Sequence, residues 1–206
     1  MAADDQARAV LDAIISRRSI RRYRQEPVPA GLLEQVLQAA TWAPSAHNRQ
    51  PWRFAVVQSL AVRSGLADAM GARLRSDLEA DGVPEAVIAA DVARSYHRLT
   101  GAPVLIVVCL TMADMDHYPD ERRQHNERIM AIQSTAMAGQ NLLLAAHALG
   151  LAGCWMCAPL FSQDTVRAVL DLPAGWEPQG LITLGYPAQE HSKERKPLHE
   201  VVRFAG

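Results

Sequence analysis

Most features that would assign a partner at sight are missing from this chain. Lys and Arg number 21 against 22 Asp and Glu, a formal net charge of only −1. That balance speaks against nucleic acid, because gripping a phosphate backbone takes a net basic surface. No apolar run approaches the ~20 residues of a membrane span. The opening MAADDQARAV is acidic and helix-forming and is not built like a signal peptide. Cysteine occurs three times, an odd number that suggests a reducing cytoplasm. There is no G-x-G-x-x-G and no P-loop lysine, so no Rossmann unit holds a nicotinamide permanently. Heptads, long repeats and low-complexity tracts are absent. Composition marks no boundary, so residues 1–206, 49% hydrophobic, read as a single domain with enough chain for a sizeable core.

What is present concentrates between Ser16 and Phe54. Arg17, Arg18, Ser19, Arg21, Arg22 and Arg24 follow an apolar helical stripe of Val10, Leu11, Ile14 and Ile15. Arginine keeps its charge, so five of them cannot all be buried unpaired. Two readings stand: a solvated basic helix end that favours the helix dipole, or guanidinium forks set for phosphate oxygens. A short helix then carries Leu32, Leu33, Val36, Leu37 and Ala40 on one face. Pro44-Ser45-Ala46-His47-Asn48-Arg49-Gln50-Pro51 follows, a polar turn flanked by core. Such a turn is either a plain connection or a binding loop on a rigid scaffold.

Periodicity places the rest. Helices are expected over 6–17, 60–80 and from Pro84 to about Leu99, and strands over Trp52 to Val57 and Pro103 to Leu110. The acidic stretch from Asp114 to Glu121 reads as a solvated loop before a helix rather than a metal site. Glu127 to Leu149 is the strongest helix, rich in small residues, with Gly150 closing it. Its Gln133, Gln140 and Asn141 need hydrogen-bond partners, and its face suits either core packing or a second subunit. Strands are expected over Leu151 to Cys157 and Gly180 to Tyr186, with Ser162 capping a short helix between them. Cys154 and Cys157 have redox-motif spacing, but three residues apart on a strand they point to opposite faces.

R-R-S-I-R followed by A-P-S-A-H-N-x-Q-P-W resembles the nitroreductase family of FMN-dependent oxidoreductases. D-H-Y-P-D-E-R-R, then C-W-M-C-A-P-L-F and V-R-A-V-L-D-L-P-A-G-W-E-P-Q-G, look like the flavin-binding C-terminal domain of the ligase that adds glutamates to the deazaflavin coenzyme. The resemblance implies an α+β, three-layer α/β/α fold with a mixed central sheet, dimeric through the long helix as an intertwined homodimer. It implies FMN as cofactor and NAD(P)H as a transient co-substrate. Arg17 and Ser19 would be phosphate and ribityl contacts, with Arg18 helping, and Arg21 the cation by the flavin's pyrimidine edge. Pro44, Ser45, Ala46 and Asn48 would reach the flavin of the other subunit. Ala46 stands where the family more often has serine, and His47 where it has a small polar residue. Trp155, Met156 and Ala158 would run beside the flavin ring, and Arg195 and Lys196 would close over the phosphate.

The expected activity is hydride passage from NAD(P)H through flavin to a small aromatic, nitro, quinone or deazaflavin-type acceptor. No side chain need act as acid or base, because flavin carries the chemistry, and no metal is called for. The alternatives are a non-enzymatic flavin- or deazaflavin-binding module and a flavin-fragmenting relative.

Overall fold

In a computed structural model, which describes residues 3–205, four strands lie between two helical layers. The strands are β1 (Trp52–Val57), β2 (Val104–Leu110), β3 (Ala152–Met156) and β4 (Glu177–Gly185), in spatial order β1-β2-β4-β3. Every residue of β2 is buried, as a β-branched run without polar alternation demands. Its side chains alternate. Val104, Ile106 and Val108 meet one helical layer, and Leu105, Val107 and Cys109 the other.

The first layer is α2 (Ala30–Thr41) and α5 (Glu121–Ala148), packing Leu33, Val36, Ala40, Leu142 and Ala146 onto the sheet. The second is α3 (Leu60–Ala80), α4 (Glu85–Thr100) and α6 (Gln163–Val169), contributing Leu66, Met70, Leu99 and Val166. Each of the Val, Leu and Met side chains among these contributes about 1.5–3 kcal/mol when fully buried, the alanines less. The three-layer α+β architecture is therefore as the sequence implies.

All three ladders are antiparallel, where a mixed sheet was expected. The parallel component is one isolated bridge, Ser19 to Gly153, on the outer edge of β3. The segment that makes it cannot extend into a fifth strand, because Ile20 and Tyr23 turn into the core on either side of Arg21.

Two further differences have local causes. α5 begins at Glu121 rather than Glu127, because Asp120 caps it, accepting from the Arg123 amide at 3.0 Å. Ser162 occupies the cap position of α6, yet its hydroxyl donates back to Ala158 O at 3.4 Å and leaves the helix amides uncapped. Gly150 closes α5 as expected. It holds φ +77°, and Leu151 N donates to Ala146 O at 2.8 Å. Of the polar residues on α5, Asn141 donates to Ala39 O at 3.3 Å, while Gln133 and Gln140 face outward.

α1 (Ala3–Ser16) has the apolar stripe its spacing predicts, but among the described residues no core covers it. Val10, Leu11, Ile14 and Ile15 are all at least half exposed, Ile15 to 68%. Trp42 after α2 and Phe204 beyond α7 (Leu198–Val201) are more exposed still, at 79% and 89%. No helix among the described residues is long and apolar enough to cross a membrane.

An arginine cradle as candidate functional site

The chain leaving α1 is pinned at both ends. Ser16 Oγ donates to Asp12 O at 2.6 Å and lies 2.8 Å from His147 Nε2 on α5. Burial lowers the His147 pKa, and Arg17 and Arg18 lower it further. Arg18 turns back over the helix end, donating to Ile15 O at 2.5 Å and to Arg17 O at 2.8 Å. One of its nitrogens thus satisfies a carbonyl in the last turn of α1 and the one just beyond the helix, a role the basic-helix-end reading anticipates. Beyond it, Ile20 N donates to Gly153 O and Arg24 N to Tyr186 O, while Ala188 N donates to Arg22 O. Tyr23 is the buried anchor. Its hydroxyl donates to Ile20 O and lies 2.6 Å from Thr183 Oγ1, and burial drives its pKa upward.

Extended backbone with period two sends Arg17, Ser19 and Arg21 to a common side. Their charge and polarity act there on the thiol of Cys154. Burial pushes that thiol's pKa up; Arg21, a hydrogen bond with Ser19, Arg98 and Arg17 all act in the opposite sense. Cys154 and Arg98 are members of this cluster that sequence reading missed.

Arg17 is the most unusual group. Its Nε and one Nη are buried with no hydrogen-bond partner. Burial lowers its pKa from the ordinary value, and the charges of Arg195 and Arg18 add to the effect. Guanidinium nevertheless remains charged. The result is a partly desolvated cation, repelled by two others, with donor nitrogens free. That arrangement fits an anion with several oxygens, such as a phosphate group. Arg195 is drawn into the cluster from the exposed segment after β4, while Lys196 beside it makes no side-chain bond among the described residues.

The turn from Pro44 to Pro51 is held in an unusual conformation. His47, Asn48 and Gln50 have φ of 50°, 54° and 51°, the left-handed region that non-glycine residues seldom enter. The surroundings enforce it. Ala46 N donates to Ser134 Oγ at 3.2 Å and Gln50 N to Ser45 Oγ at 3.0 Å. Arg49 pairs with Asp116, and Arg53 with Asp114 at 2.8 Å. The acidic stretch thus serves to brace this turn. Strained backbone kept in place this firmly accompanies ligand clamps.

Cradle and turn do not meet within one chain. The turn is fastened to Ser134 and the cradle lies by His147, thirteen residues further along α5, roughly 20 Å at 1.5 Å per residue.

β3 also divides the residues assigned to it. Met156, partly buried, shares the face of Cys154 and packs with Ala158 on the α3–α4–α6 side. Trp155 points to the opposite face, away from the cradle. Its indole lies between Gly139 and Gly180. A Cβ on Gly139 would come within 2.9 Å of Cε3, and one on Gly180 within 2.5 Å of Cε2. Its Nε1 donates to Cys157 Sγ at 3.2 Å. All three cysteines are free, with Cys154 buried and Cys157 exposed.

The nitroreductase family model matches residues 14–186. A Thermus thermophilus protein named NADH dehydrogenase is 34% identical, over 94% of this chain and 96% of its own length. A 5,6-dimethylbenzimidazole synthase of Rhodospirillum rubrum is 32% identical, over 98% of this chain and 90% of its own. A solved nitroreductase-type protein from Desulfovibrio desulfuricans, in complex with FMN, superposes with a TM-score of 0.73 at 32% identity, covering 96% of both chains.

Proposed function

Because this chain belongs to the nitroreductase family, we propose that it is an FMN-dependent oxidoreductase. It would carry a hydride from NAD(P)H to a small aromatic, nitro, quinone or deazaflavin-type acceptor. The observation that carries this reading is Arg17, whose buried, unpartnered nitrogens sit beside Arg18 and Arg195. Arg17 and Ser19 hold the phosphate and ribityl chain, and Arg195 and Lys196 close over them. When bound, FMN accepts a hydride and delivers two electrons to the acceptor. The protein supplies orientation and charge. The deazaflavin acceptor draws support from the motifs between Asp116 and Gly180 alone. The exposed Cys157 thiol favours a reducing compartment.

The test is anaerobic reduction of the purified protein. NADH or NADPH should bleach its flavin absorbance, and a nitro, quinone or deazaflavin acceptor should restore it. A protein that binds FMN yet is reduced by neither nucleotide is a storage module instead.

Arg21 occupies the position where the family sets a cation by the pyrimidine edge. It would stabilise the charge gained on reduction more than the neutral oxidised ring, which is differential stabilisation. Arg21→Gln should keep its flavin and lower the two-electron midpoint potential by at least about 30 mV, a tenfold change in equilibrium constant. An unchanged potential at full occupancy removes Arg21 from the mechanism.

The working unit is a homodimer. One chain separates its strained turn from its cradle, and a second copy supplies the turn. The outer face of α5, with Ile132 and Met137 exposed, provides the contact, and the bare apolar faces of α1 and of the segment around Phe204 extend it. Leu11→Glu/Ile15→Glu should sediment as a monomer and lose FMN together with the dimer. A flavin-loaded monomer would refute the shared site.

One observation favours a second reading. The Rhodospirillum rubrum synthase aligns over nearly the whole chain, which supports a flavin-fragmenting activity that uses oxygen. Aerobic incubation with reduced FMN, assayed for 5,6-dimethylbenzimidazole, separates the two.

A further inference from the structure

A second group of cations borders the cradle. Arg94, His97 and Arg98 stand on α4 at i, i+3 and i+4, and so share one face. Arg21 and Arg22 oppose them from the extended segment, and Gln189 closes the ring. These six residues line a cavity of about 430 Å³, within the usual range for small-ligand sites. No carboxylate lines it. Elsewhere in the same helical layer, apart from buried Arg63, which donates to the carbonyls of Thr100 and Ala102, arginines are matched: Arg73 with Asp77, Arg75 with Glu79 and Glu85, Arg167 with Asp164. Among the described residues only Arg94 around the cavity has such a partner, Asp91 on its own helix. Among the described residues, the side chains of Arg21, Arg22 and Arg98 have neither an ion pair nor a hydrogen bond.

Four guanidinium groups converging on one cavity repel each other unless an anion joins them. Their planar forks match carboxylate and phosphate oxygens in pairs. The cavity is also continuous with the proposed flavin site. Arg21 lines it, and the charge of Arg98 on its wall acts on Cys154 as those of Arg17 and Arg21 do. Arg17 and Arg195, the pair assigned to the cofactor phosphate, do not line it.

We infer that this cavity is a substrate anion subsite, in which Arg22, Arg94 and Arg98 hold the carboxylate or phosphate of an organic anion whose reactive ring lies at the flavin. The inference rests on the oxidoreductase reading and narrows it to a charged reactant. Two sources share that chemistry, an acidic acceptor and the 2′-phosphate of NADPH.

The FMN-loaded protein and its Arg94→Gln/Arg98→Gln variant distinguish them. For the acceptor, the comparison is the kcat/KM ratio of 4-nitrobenzoate to nitrobenzene with NADH as donor. For the donor, it is the ratio of NADPH to NADH with nitrobenzene as acceptor. Calorimetric titration of the oxidised protein with benzoate, NADP+ and NAD+ reads the same charge preference without turnover. In the variant one ratio should fall at least about tenfold, the effect of losing one charge-assisted contact, with a matching loss in the titration and one flavin per protomer retained. Arg22→Gln, on the opposite wall, should repeat the effect. Both charge preferences unchanged would overturn the inference, as would loss of flavin from the folded variant, which would assign these arginines to the cofactor. A wild-type protein that turns over nothing refutes the oxidoreductase reading, while the titrations still decide whether the cavity binds anions.

Discussion

Replacing Arg17 with alanine should raise the melting temperature of the flavin-free protein and, in the same molecule, weaken FMN binding by about 10- to 100-fold. The two effects share one cause. In the free protein the guanidinium is partly desolvated, repelled by Arg195 and Arg18, and has two buried nitrogens without partners. An uncompensated buried charge destabilises a fold, so removing it relieves a cost. With a phosphate present the same nitrogens make hydrogen bonds to a charged acceptor, about 1.5–3 kcal/mol net. Riboflavin lacks the phosphate, and its affinity should change by less than about threefold. Fluorescence titration with both flavins, alongside thermal melts of the apoprotein, checks all three signs. Equal losses for FMN and riboflavin would place Arg17 away from the phosphate. A lower apoprotein melting temperature would make it a structural residue.

The largest effect on stability should come from a single methyl group. Gly180→Ala places a Cβ inside the indole of Trp155, on a buried stretch of β4 that cannot retreat. Overpacking of this kind costs about 1–3 kcal/mol. For a chain of this length that lowers the melting temperature by about 2–12 °C. Gly139→Ala meets the other side of the ring and should act likewise. Trp155→Leu makes room, so the alanine should cost less in that background than alone, a coupling that a double-mutant cycle measures. If Gly180→Ala melts with the wild type, the indole is not clamped there and Trp155 is free to swing toward the flavin.

These two cases mark the reach of sequence reading. Hydrophobic period set α3 and β1 to their observed limits, because those elements bury a face against their own chain. The same logic found the stripe on α1 but not what covers it, since period two or 3.6 identifies an apolar face and is silent on whose surface it meets. Strand alternation turns Trp155 from Met156, yet the room for the indole comes from glycines on α5 and β4, far off in sequence. The resemblance assigned Arg17, Ser19 and Arg21 to one ligand, and all three act on the Cys154 thiol. It sent the turn at Ser45 to the flavin of the other subunit, and within one chain the turn and the cradle do lie apart. In the sequence Arg94, His97 and Arg98 are only three members of the helix expected from Pro84 to about Leu99. Only the approach of Arg21 and Arg22 makes them one wall of a cavity.

The turn between Pro44 and Pro51 restricts how the protein can be re-engineered. It would be the natural target for anyone widening the substrate range, being exposed and, on the proposed dimer, close to the flavin. Yet His47, Asn48 and Gln50 all lie at positive φ, where glycine, asparagine and aspartate enter readily and β-branched side chains scarcely at all. A randomised library at these three positions will therefore yield a short alphabet among its folded members, filtered by the backbone before any substrate is offered. Ala46, which keeps φ negative, and the cavity wall at Arg22 and Arg94 lie outside that backbone filter. Directed evolution of this protein should begin there.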